Sequence, residues 1–298
     1  MMMKGTVVMM TIVLLLVSVK AVPQDGDFQK IPFELANGLI LVEASVNGDT
    51  GSFILDTGSP MVVVNPKNIS DLQISRTQSE TAFRGQPVLV KHFAWAGIER
   101  EGLEALAMDM SHLEKASQRK ILGVIGYEVL RKYELMFDCR NQVLLLYEPK
   151  NSWVHLQQAP LFSARFTLQD ELPVITARIG KKKVRFGLDT GGTSNLMSQE
   201  LLQELPATAH GALEKEQVAG FGNLPEYKDA ASIYGIQIAD KTFRNSRFIF
   251  TDLSHLKRLK VDGLLGMPFL CQYRFSINYR KGEIYFWPHG EEINYRRI

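Results

Sequence analysis

The chain contains two copies of an acidic motif, each at the end of an apolar segment. The copies read Asp56-Thr57-Gly58-Ser59, after Phe-Ile-Leu, and Asp189-Thr190-Gly191-Gly192, after Phe-Gly-Leu. Two carboxylates held at contact distance cannot both ionise cheaply, so such a pair holds one proton. The ionised member can take a proton from a bound water molecule while the protonated member donates to a reacting carbonyl. Asp56 and Asp189 are therefore the candidate catalytic residues, and this chemistry requires neither a metal nor a cofactor.

The repetition of the motif favours chemistry over a purely structural role. One Asp-Thr-Gly triplet is expected by chance about 0.05 times in a chain this long, at ~7% Gly and ~5% each of Asp and Thr. A single copy would indicate a turn, in which Asp caps the backbone and Gly supplies a positive φ. The second copy lies 133 residues later, again behind a Phe-x-Leu segment. That recurrence makes the turn interpretation the weaker one.

A second landmark is duplicated in the same order. Gly123-Val124-Ile125-Gly126 is repeated 140 residues later as Gly263-Leu264-Leu265-Gly266, and the residues that follow correspond without a gap as far as Tyr147 and Trp287. The offsets of 133 and 140 differ by seven residues, which loops between the landmarks must absorb. Each half of the chain is therefore predicted to fold in the same way, with one acidic loop per half.

Strand patterns dominate the segments that must position these motifs. Apolar runs separated by turn residues predict hairpins. The predicted strand pairs are Leu39–Val46 with Ser52–Leu55, Pro173–Ile179 with Val184–Leu188, Glu134–Cys139 with Val143–Tyr147, and Arg274–Tyr279 with Glu283–Trp287. The predicted helices are Ser198–Leu205, capped by Ser198, and two short candidates, Tyr127–Lys132 and Met267–Gln272. The polar stretch Pro149–Glu171 is predicted to be an irregular connection between two similar all-β lobes.

With these motifs, the chain resembles a two-lobed aspartic protease of the pepsin and retropepsin superfamily, over roughly residues 33–290. Its compact halves are more similar to bacterial retropepsin-like members than to long eukaryotic pepsins. The resemblance implies an all-β fold of two similar β-barrel lobes, with little helix and a catalytic cleft between them. It also implies an aspartic endopeptidase that hydrolyses peptide bonds, with an apolar-apolar-Gly segment packed beneath each acidic loop.

The resemblance assigns supporting roles to the neighbours of the two aspartates. The support residues are Thr57, Gly58, Ser59, Thr190 and Gly191. The two threonines are expected to tie the loops together through their hydroxyls, and the two glycines to let backbone N–H groups approach the carboxylates. The Ser59 hydroxyl is expected to donate to Asp56.

Gly192 departs from the pattern, because it has no side chain with which to do the same for Asp189. Pepsins usually have Ser or Thr at both positions, whereas retropepsins often have Ala there. This difference leaves a second function open, a non-catalytic peptide-binding protein on the same scaffold.

The family also places a β-hairpin flap over the cleft. Thr81–Ala96 is the candidate in the first half and Gln217–Tyr227 in the second, where Gly220-Phe221-Gly222 resembles a glycine-rich tip able to hinge. The pepsin-like flap tyrosine is absent from Thr81–Ala96. Phe83 or Trp95 is a candidate for that space, although core packing is the stronger interpretation for both.

Composition and the N-terminus define the setting. The chain has 298 residues, of which 45% are apolar and 22% charged, as expected for a globular protein of two domains or of one large domain. The formal net charge of +2 argues against nucleic-acid binding, which requires a basic excess. Residues 1–21 resemble a signal peptide, with Lys4, an uncharged Gly5–Val19 and Ala21 before the cut. An uncleaved membrane anchor is the alternative.

These observations predict a monomer that is secreted or held in the periplasm or cell envelope. The predicted divisions are a signal peptide at 1–21, a first lobe at 22–150, a connection at 151–172 and a second lobe at 173–298. Cys139 and Cys271 could pair in an oxidising compartment, but we expect two buried free thiols. The six histidines show no metal-ligand spacing, so the expected partner is a peptide or protein substrate, with no metal and no cofactor.

Overall fold

Strands make up most of the described structure. The computed structural model describes residues 28–74, 85–148, 158–219 and 225–290. The strands up to residue 147 are β1 (Phe28–Pro32), β2 (Glu34–Ala36), β3 (Leu39–Val46), β4 (Asp49–Leu55), β5 (Val63–Val64), β6 (Gln73–Ile74), β7 (Gln86–Trp95), β8 (Ile98–Ala107), β9 (Ile121–Ile125), β10 (Glu134–Asp138) and β11 (Val143–Tyr147). The later strands are β12 (Phe162–Gln169), β13 (Leu172–Ile179), β14 (Lys182–Leu188), β15 (Leu196–Ser198), β16 (Glu214–Ala219), β17 (Pro225–Ile238), β18 (Lys241–Thr251), β19 (Gly263–Leu265), β20 (Arg274–Asn278) and β21 (Glu283–Trp287).

The helices of the described segments are short. They are α1 (Ser111–Ser117), α2 (Tyr127–Leu130), α3 (Gln199–Glu204) and α4 (Met267–Leu270), with 3₁₀ helices at Ala207–Ala209 and Ser254–Leu259. Within the described ranges, no helix is long and apolar enough to span a lipid bilayer. The helix predicted around Ser198 is confirmed as α3, and the Ser198 hydroxyl caps it by accepting a hydrogen bond from the Leu201 N–H at 3.1 Å.

The two halves form lobes with the same strand order. The order is β2-β3-β4-β9-β5-β8-β7-β6 in lobe one and β12-β13-β14-β19-β15-β18-β17-β16 in lobe two. An additional pairing, of β3 with β7 and of β13 with β17, brings each sheet back on itself. In each lobe, the strand that leads to the aspartate runs parallel to the strand of the second landmark, β4 beside β9 and β14 beside β19. The predicted duplication and the all-β, two-lobed fold are confirmed.

A six-strand seam joins the lobes in the order β1-β11-β10-β20-β21-β12. β10 of lobe one pairs antiparallel with β20 of lobe two, from Glu134 opposite Asn278 to Phe137 opposite Phe275. The rings of Phe137 and Phe275 stack with their centroids 4.6 Å apart. Main-chain hydrogen bonds and stacked rings therefore fix the relative position of the two lobes.

The irregular connection predicted over Pro149–Glu171 is wrong in its second part. Phe162–Gln169 forms β12, which pairs with both β21 and β13. The sequence alternates with a period of two residues here, as a strand does. Accordingly, Phe162, Ala164 and Phe166 are buried and the residues between them are more exposed. β12 takes the outer place in the seam that β1 takes on the other side.

The predicted hairpins form with bounds close to those expected. β3 and β4 are joined by Asn47 and Gly48, whose φ angles are 52° and 93°. A two-residue turn with positive φ at both positions matches the twist of the flanking strands, which explains the Asn-Gly pair.

Aromatic side chains fill each lobe beneath the landmark glycines. Phe53 and Phe186, the first residues of the two Phe-x-Leu segments, are fully buried, and each burial contributes about 1.5–3 kcal/mol. A side chain on Gly123 would begin 2.5 Å from the Phe53 ring, and one on Gly263 would begin 2.9 Å from the Phe186 ring. The carbonyl oxygens of Val63 and Leu196 lie closer still to these two positions, so the first glycine of each Gly-apolar-apolar-Gly segment is required by a neighbouring backbone as well as by a phenylalanine ring.

The expectation of two free thiols is wrong, because Cys139 and Cys271 form a disulfide. Cys139 follows β10 and Cys271 follows α4, so the bond joins the two lobes across the seam. Their Cα atoms lie 5.7 Å apart, within the range that a disulfide bridges. This proximity depends on how the two lobes pack, which the spacing of the cysteines along the chain does not reveal.

Candidate active site

Each aspartate is positioned by the parallel strand pair at the centre of its lobe. The Asp56 N–H donates to the Ile125 carbonyl and the Asp189 N–H to the Leu265 carbonyl, both at 3.0 Å. These bonds continue the β4–β9 and β14–β19 pairings into the acidic loops. The apolar-apolar-Gly segment of each lobe therefore lies directly against the loop that carries the aspartate.

The second glycine of each landmark allows this close approach. A side chain on Gly126 would begin 2.5 Å from the Ser59 carbonyl oxygen, and one on Gly266 would begin 2.5 Å from the Gly192 carbonyl oxygen. Any larger residue would push the acidic loop away from its support, since real contacts of this kind do not fall below about 3 Å. The glycine is thus a steric requirement in both halves.

The two threonines connect the loops to each other by reciprocal hydrogen bonds. The Thr57 hydroxyl donates to the Leu188 carbonyl at 2.9 Å and accepts from the Thr190 N–H at 3.1 Å. The Thr190 hydroxyl donates to the Leu55 carbonyl at 2.8 Å and accepts from the Thr57 N–H at 3.0 Å. Both threonines are fully buried, so loss of either hydroxyl would leave two buried backbone groups without a partner.

The carboxyl groups meet between these loops, since a side chain on Gly58 would begin 2.9 Å from Asp189 Oδ1 and 3.1 Å from Asp56 Oδ1. The Gly58 N–H donates to Asp56 Oδ1 at 2.7 Å, and the Gly191 N–H donates to Asp189 Oδ1 at 2.9 Å. Each glycine also faces the carboxyl group of the opposite loop. A side chain on Gly191 would begin 2.5 Å from Asp56 Cγ, and one on Gly58 would begin 2.9 Å from Asp189 Oδ1.

The surroundings of the pair raise the pKa of both carboxyl groups. Burial raises the pKa of Asp189 well above its ordinary value, and the negative charge of Asp56 and the hydrogen bond to it raise that pKa further. Burial also raises the pKa of Asp56, while hydrogen bonds from the Gly58 N–H and the Asp189 side chain oppose the rise. The pair therefore retains one proton, which the two carboxyl groups share.

The raised pKa of Asp189 also ties the stability of the fold to pH. The folded protein binds this proton more tightly than the unfolded chain, in which the pKa is close to 3.8. The resulting stabilisation is fully present below pH 3.8 and is lost as the pH rises through the folded-state pKa. Both aspartates are partly exposed, so water and a substrate can reach the pair.

The role expected for the Ser59 hydroxyl is wrong. That hydroxyl donates to the Met61 carbonyl at 2.9 Å. The Ser59 N–H donates to the main-chain carbonyl of Asp56 at 3.4 Å, and the Gly192 N–H donates to that of Asp189 at 3.3 Å. Because the Ser59 hydroxyl does not bond to Asp56, the absence of a side chain at Gly192 does not deprive Asp189 of a contact that Asp56 has.

Comparison with known protein families agrees with this geometry. The aspartyl protease family profile matches residues 42–129 and 175–269, which together cover more than half of the chain. The chain belongs to the aspartyl protease family. Each matched segment contains one acidic loop and one Gly-apolar-apolar-Gly segment, so the match repeats the duplication seen in the lobes. No curated protein matches the chain.

In this aspartyl protease, the flap residues predicted in lobe two lie outside the described segments. These residues are Gly220, Phe221 and Gly222. The flanking strands are described, and β16 pairs antiparallel with β17 from Glu214 opposite Ala230 to Ala219 opposite Pro225. The two strands on either side of the predicted tip therefore pair with each other as a hairpin requires.

The flap range predicted in lobe one lies partly outside the described segments. Most of Thr81–Ala96 is β7, which continues into β8 through a tight turn at Ala96 and Gly97. β6 and β7 occupy the same places in the strand order of lobe one as β16 and β17 in lobe two. Trp95 is buried, as its core interpretation predicted, and Phe83 lies outside the described segments.

The sequence interpretation missed three residues that lie around the pair. The carbonyls of Leu55 and Leu188 receive the opposite threonine hydroxyls. Their position, directly before each aspartate, was visible in both Phe-x-Leu segments. Tyr279, whose charged form would be repelled by Asp56, is the third, and it corresponds to Cys139 at the 140-residue offset. In the described ranges, no three side chains of the His, Cys, Asp or Glu types cluster as a metal site would require.

Proposed function

We propose that this protein is an aspartic endopeptidase that hydrolyses peptide bonds with water activated between Asp56 and Asp189. The observation that carries the proposal is the meeting of two carboxyl groups at the junction of two duplicated lobes, where burial raises the pKa of both. Membership of the aspartyl protease family supports the same reaction class. Two carboxyl groups that share one proton supply one base and one acid in a single site.

In the proposed reaction, the ionised Asp56 accepts a proton from the bound water as the water attacks the scissile carbonyl. Asp189 donates its proton to the carbonyl oxygen, where negative charge develops. The tetrahedral diol then collapses, and the leaving amine receives the proton that Asp56 accepted. The carbonyl proton returns to Asp189, so the pair ends with the single proton with which it began.

The fold offers an extended peptide a suitable neighbour. β16 is the last strand in the order of the lobe-two sheet, so among the described residues one of its edges has backbone groups available for pairing. An added peptide strand would gain affinity from main-chain hydrogen bonds and specificity from the pockets for its alternate side chains. We therefore propose an extended peptide or unfolded protein segment as the substrate.

The deciding experiment is digestion of a peptide library by the mature protein across a range of pH. We expect cleavage that stops in Asp56→Asn and in Asp189→Asn, with unfolding curves that remain cooperative. Asp109→Asn is the matched control, because Asp109 is an exposed aspartate paired with Lys67. Retained cleavage in either active-site variant would refute the mechanism.

The same assay distinguishes the non-catalytic alternative. A peptide in which a secondary alcohol replaces the scissile carbonyl mimics the tetrahedral intermediate. An endopeptidase is inhibited by this peptide, whereas a binding protein binds it and cleaves nothing in the library.

We also propose that the protein works outside the cytoplasm. The N-terminal segment and the Cys139–Cys271 disulfide support this proposal, since such bonds persist in oxidising compartments. N-terminal sequencing of the exported protein is expected to begin at Val22. An intact N-terminus in the membrane fraction would instead identify an anchor.

A further inference from the structure

Two contacts that cross the seam are made by residues that lie 140 positions apart in the chain. Cys139 follows β10 and Tyr279 follows β20, at equivalent positions of the two halves. Each reaches the short helix behind the second landmark of the other lobe, Cys139 at the end of α4 and Tyr279 at the start of α2. One contact is a covalent bond and the other is a contact between aromatic rings.

The covalent contact leads to the loop of Asp189. Cys271 ends α4, where its N–H donates to the Met267 carbonyl at 2.9 Å. At the other end of this single turn, the Met267 N–H donates to the Gly192 carbonyl at 2.8 Å. The disulfide therefore ties the strand that leaves lobe one to the backbone beside Asp189.

The aromatic contact leads to the loop of Asp56 in the same way. The rings of Tyr279 and Tyr127 meet edge to face, with centroids 5.3 Å apart and planes at 75°. The Tyr127 N–H donates to the Ser59 carbonyl at 2.8 Å. Tyr279 also contacts Phe166, at 6.0 Å between centroids, so its ring is held on two sides.

The buried hydroxyl of Tyr279 has no hydrogen-bond partner among the described residues. Its burial and the charge of Asp56 raise the pKa of this hydroxyl, which places Tyr279 within electrostatic reach of the catalytic pair. Since the hydroxyl makes no bond, the ring is the part of the side chain that supports the loop.

We propose that the Cys139–Cys271 bond and the Tyr279–Tyr127 contact are a matched pair of positioning contacts, the first for the Asp189 loop and the second for the Asp56 loop. Tyr279 is accordingly a positioning residue for Asp56. The covalent member makes the Asp189 side sensitive to thiol reductants. This proposal rests on the proposed peptidase function, because it assigns roles within that site.

The covalent contact is tested by reduction of the folded wild-type protein with a small dithiol. The Cys139–Cys271 bond breaks as two electrons and two protons pass from the dithiol, which closes to its own cyclic disulfide, and two thiols appear on the protein. We expect kcat to fall about threefold to tenfold with KM changed less than twofold, because a displaced loop misplaces an acid that acts in the transition state. The alkaline limb of the pH profile should move to lower pH as Asp189 becomes better solvated.

The double variant Cys139→Ser with Cys271→Ser is the matched control. We expect it to resemble the reduced wild type and to be unaffected by the dithiol. A thiol count of two per chain with unchanged kcat and pH profile would overturn the role of the disulfide, and so would an equal response of the double variant to the dithiol.

The aromatic contact is tested by Tyr279→Phe and Tyr279→Leu. Tyr279→Phe keeps the ring, so kcat should stay within about twofold of wild type. Tyr279→Leu loses the edge-to-face contact and should lower kcat about threefold to tenfold and shift the acidic limb, which reports Asp56. If Tyr279→Leu fails to fold, Tyr127→Leu removes the same contact from the other side.

Two results would overturn the role of Tyr279. One is a tenfold loss in Tyr279→Phe, which would assign the effect to the hydroxyl, and the other is a Leu variant with wild-type kcat and pH profile. The wild-type assay separates this proposal from the peptidase proposal. An inactive wild type refutes the peptidase, whereas an active wild type with unresponsive variants refutes only the positioning contacts.

Discussion

Gly191→Ala is the substitution that tests the geometry of the pair most directly. The added methyl carbon would begin 2.5 Å from Asp56 Cγ and 2.6 Å from Asp56 Oδ2. Carbon atoms in contact prefer separations of ~3.5 Å or more, so the carboxyl group must move by about 1 Å. Because the Thr57 and Thr190 hydrogen bonds hold the two loops together, the displacement falls on the Asp56 side chain.

A displacement of about 1 Å at a reacting group lowers kcat/KM by ~100-fold, which corresponds to about 2.7 kcal/mol of transition-state stabilisation. The assay is cleavage of the best library peptide under kcat/KM conditions. Gly51→Ala is the matched control, because its added carbon would begin 2.6 Å from a Leu122 methyl group. We expect that crowding to change stability but not the chemistry.

Thermal unfolding of both variants separates loss of fold from loss of chemistry. Gly191→Ala with kcat/KM within about threefold of wild type would refute the inference that this glycine faces the catalytic carboxylate. An equal loss in Gly51→Ala would show that general destabilisation, and not the position of Asp56, limits the rate.

Three further outcomes follow from the same site. Thr190→Val should lower the free energy of unfolding by about 2–5 kcal/mol in urea titrations, because the Leu55 carbonyl and the Thr57 N–H lose their partner. Thr190→Ser keeps the hydroxyl and should lower the free energy of unfolding much less. Equal losses of stability in the two variants would contradict this reasoning. Asp189→Asn should abolish turnover. Its stability relative to wild type should increase as the pH rises above 3.8, because the wild type loses the stabilisation that its tightly bound proton provides and the variant has no such proton. A stability difference that is constant across pH would argue against the raised pKa. The pH profile of wild-type kcat should be bell-shaped, falling at low pH as Asp56 is protonated and at high pH as Asp189 loses its proton, and a profile with a single limb would exclude a shared-proton pair.

Local rules were sufficient to predict the two acidic loops. The Asn47-Gly48 turn, the apolar strands and the Phe-x-Leu segments each express a preference of a few neighbouring residues, and the structure has each of them in its expected place. The duplication added the long-range information, because two equal halves require two equivalent loops. The resemblance to two-lobed aspartic proteases then indicated that Asp56 and Asp189 would face each other.

Other features depended on how distant segments pack. The bond between Cys139 and Cys271 requires the lobes to be placed across the seam, and no local pattern encodes a distance between residues so far apart. The Ser59 hydroxyl bonds to the Met61 carbonyl two residues further along the chain, and the motif itself does not indicate that acceptor. Assigning the flap of lobe one required the strand order, since β7 matches a flap strand only once β6 is placed beside it.

The fusion of both lobes in one polypeptide has a consequence for the two carboxyl groups. An assembly of two identical half-sized chains would have to carry the same residue on both sides of its axis, and its proton would have no preferred side. In this chain, Ser59 of the first half corresponds to Gly192 of the second half. The Cys139–Cys271 disulfide corresponds to the ring contact between Tyr279 and Tyr127. The two halves can therefore mutate independently. As a result, the two carboxyl groups can differ in proton affinity before a substrate binds.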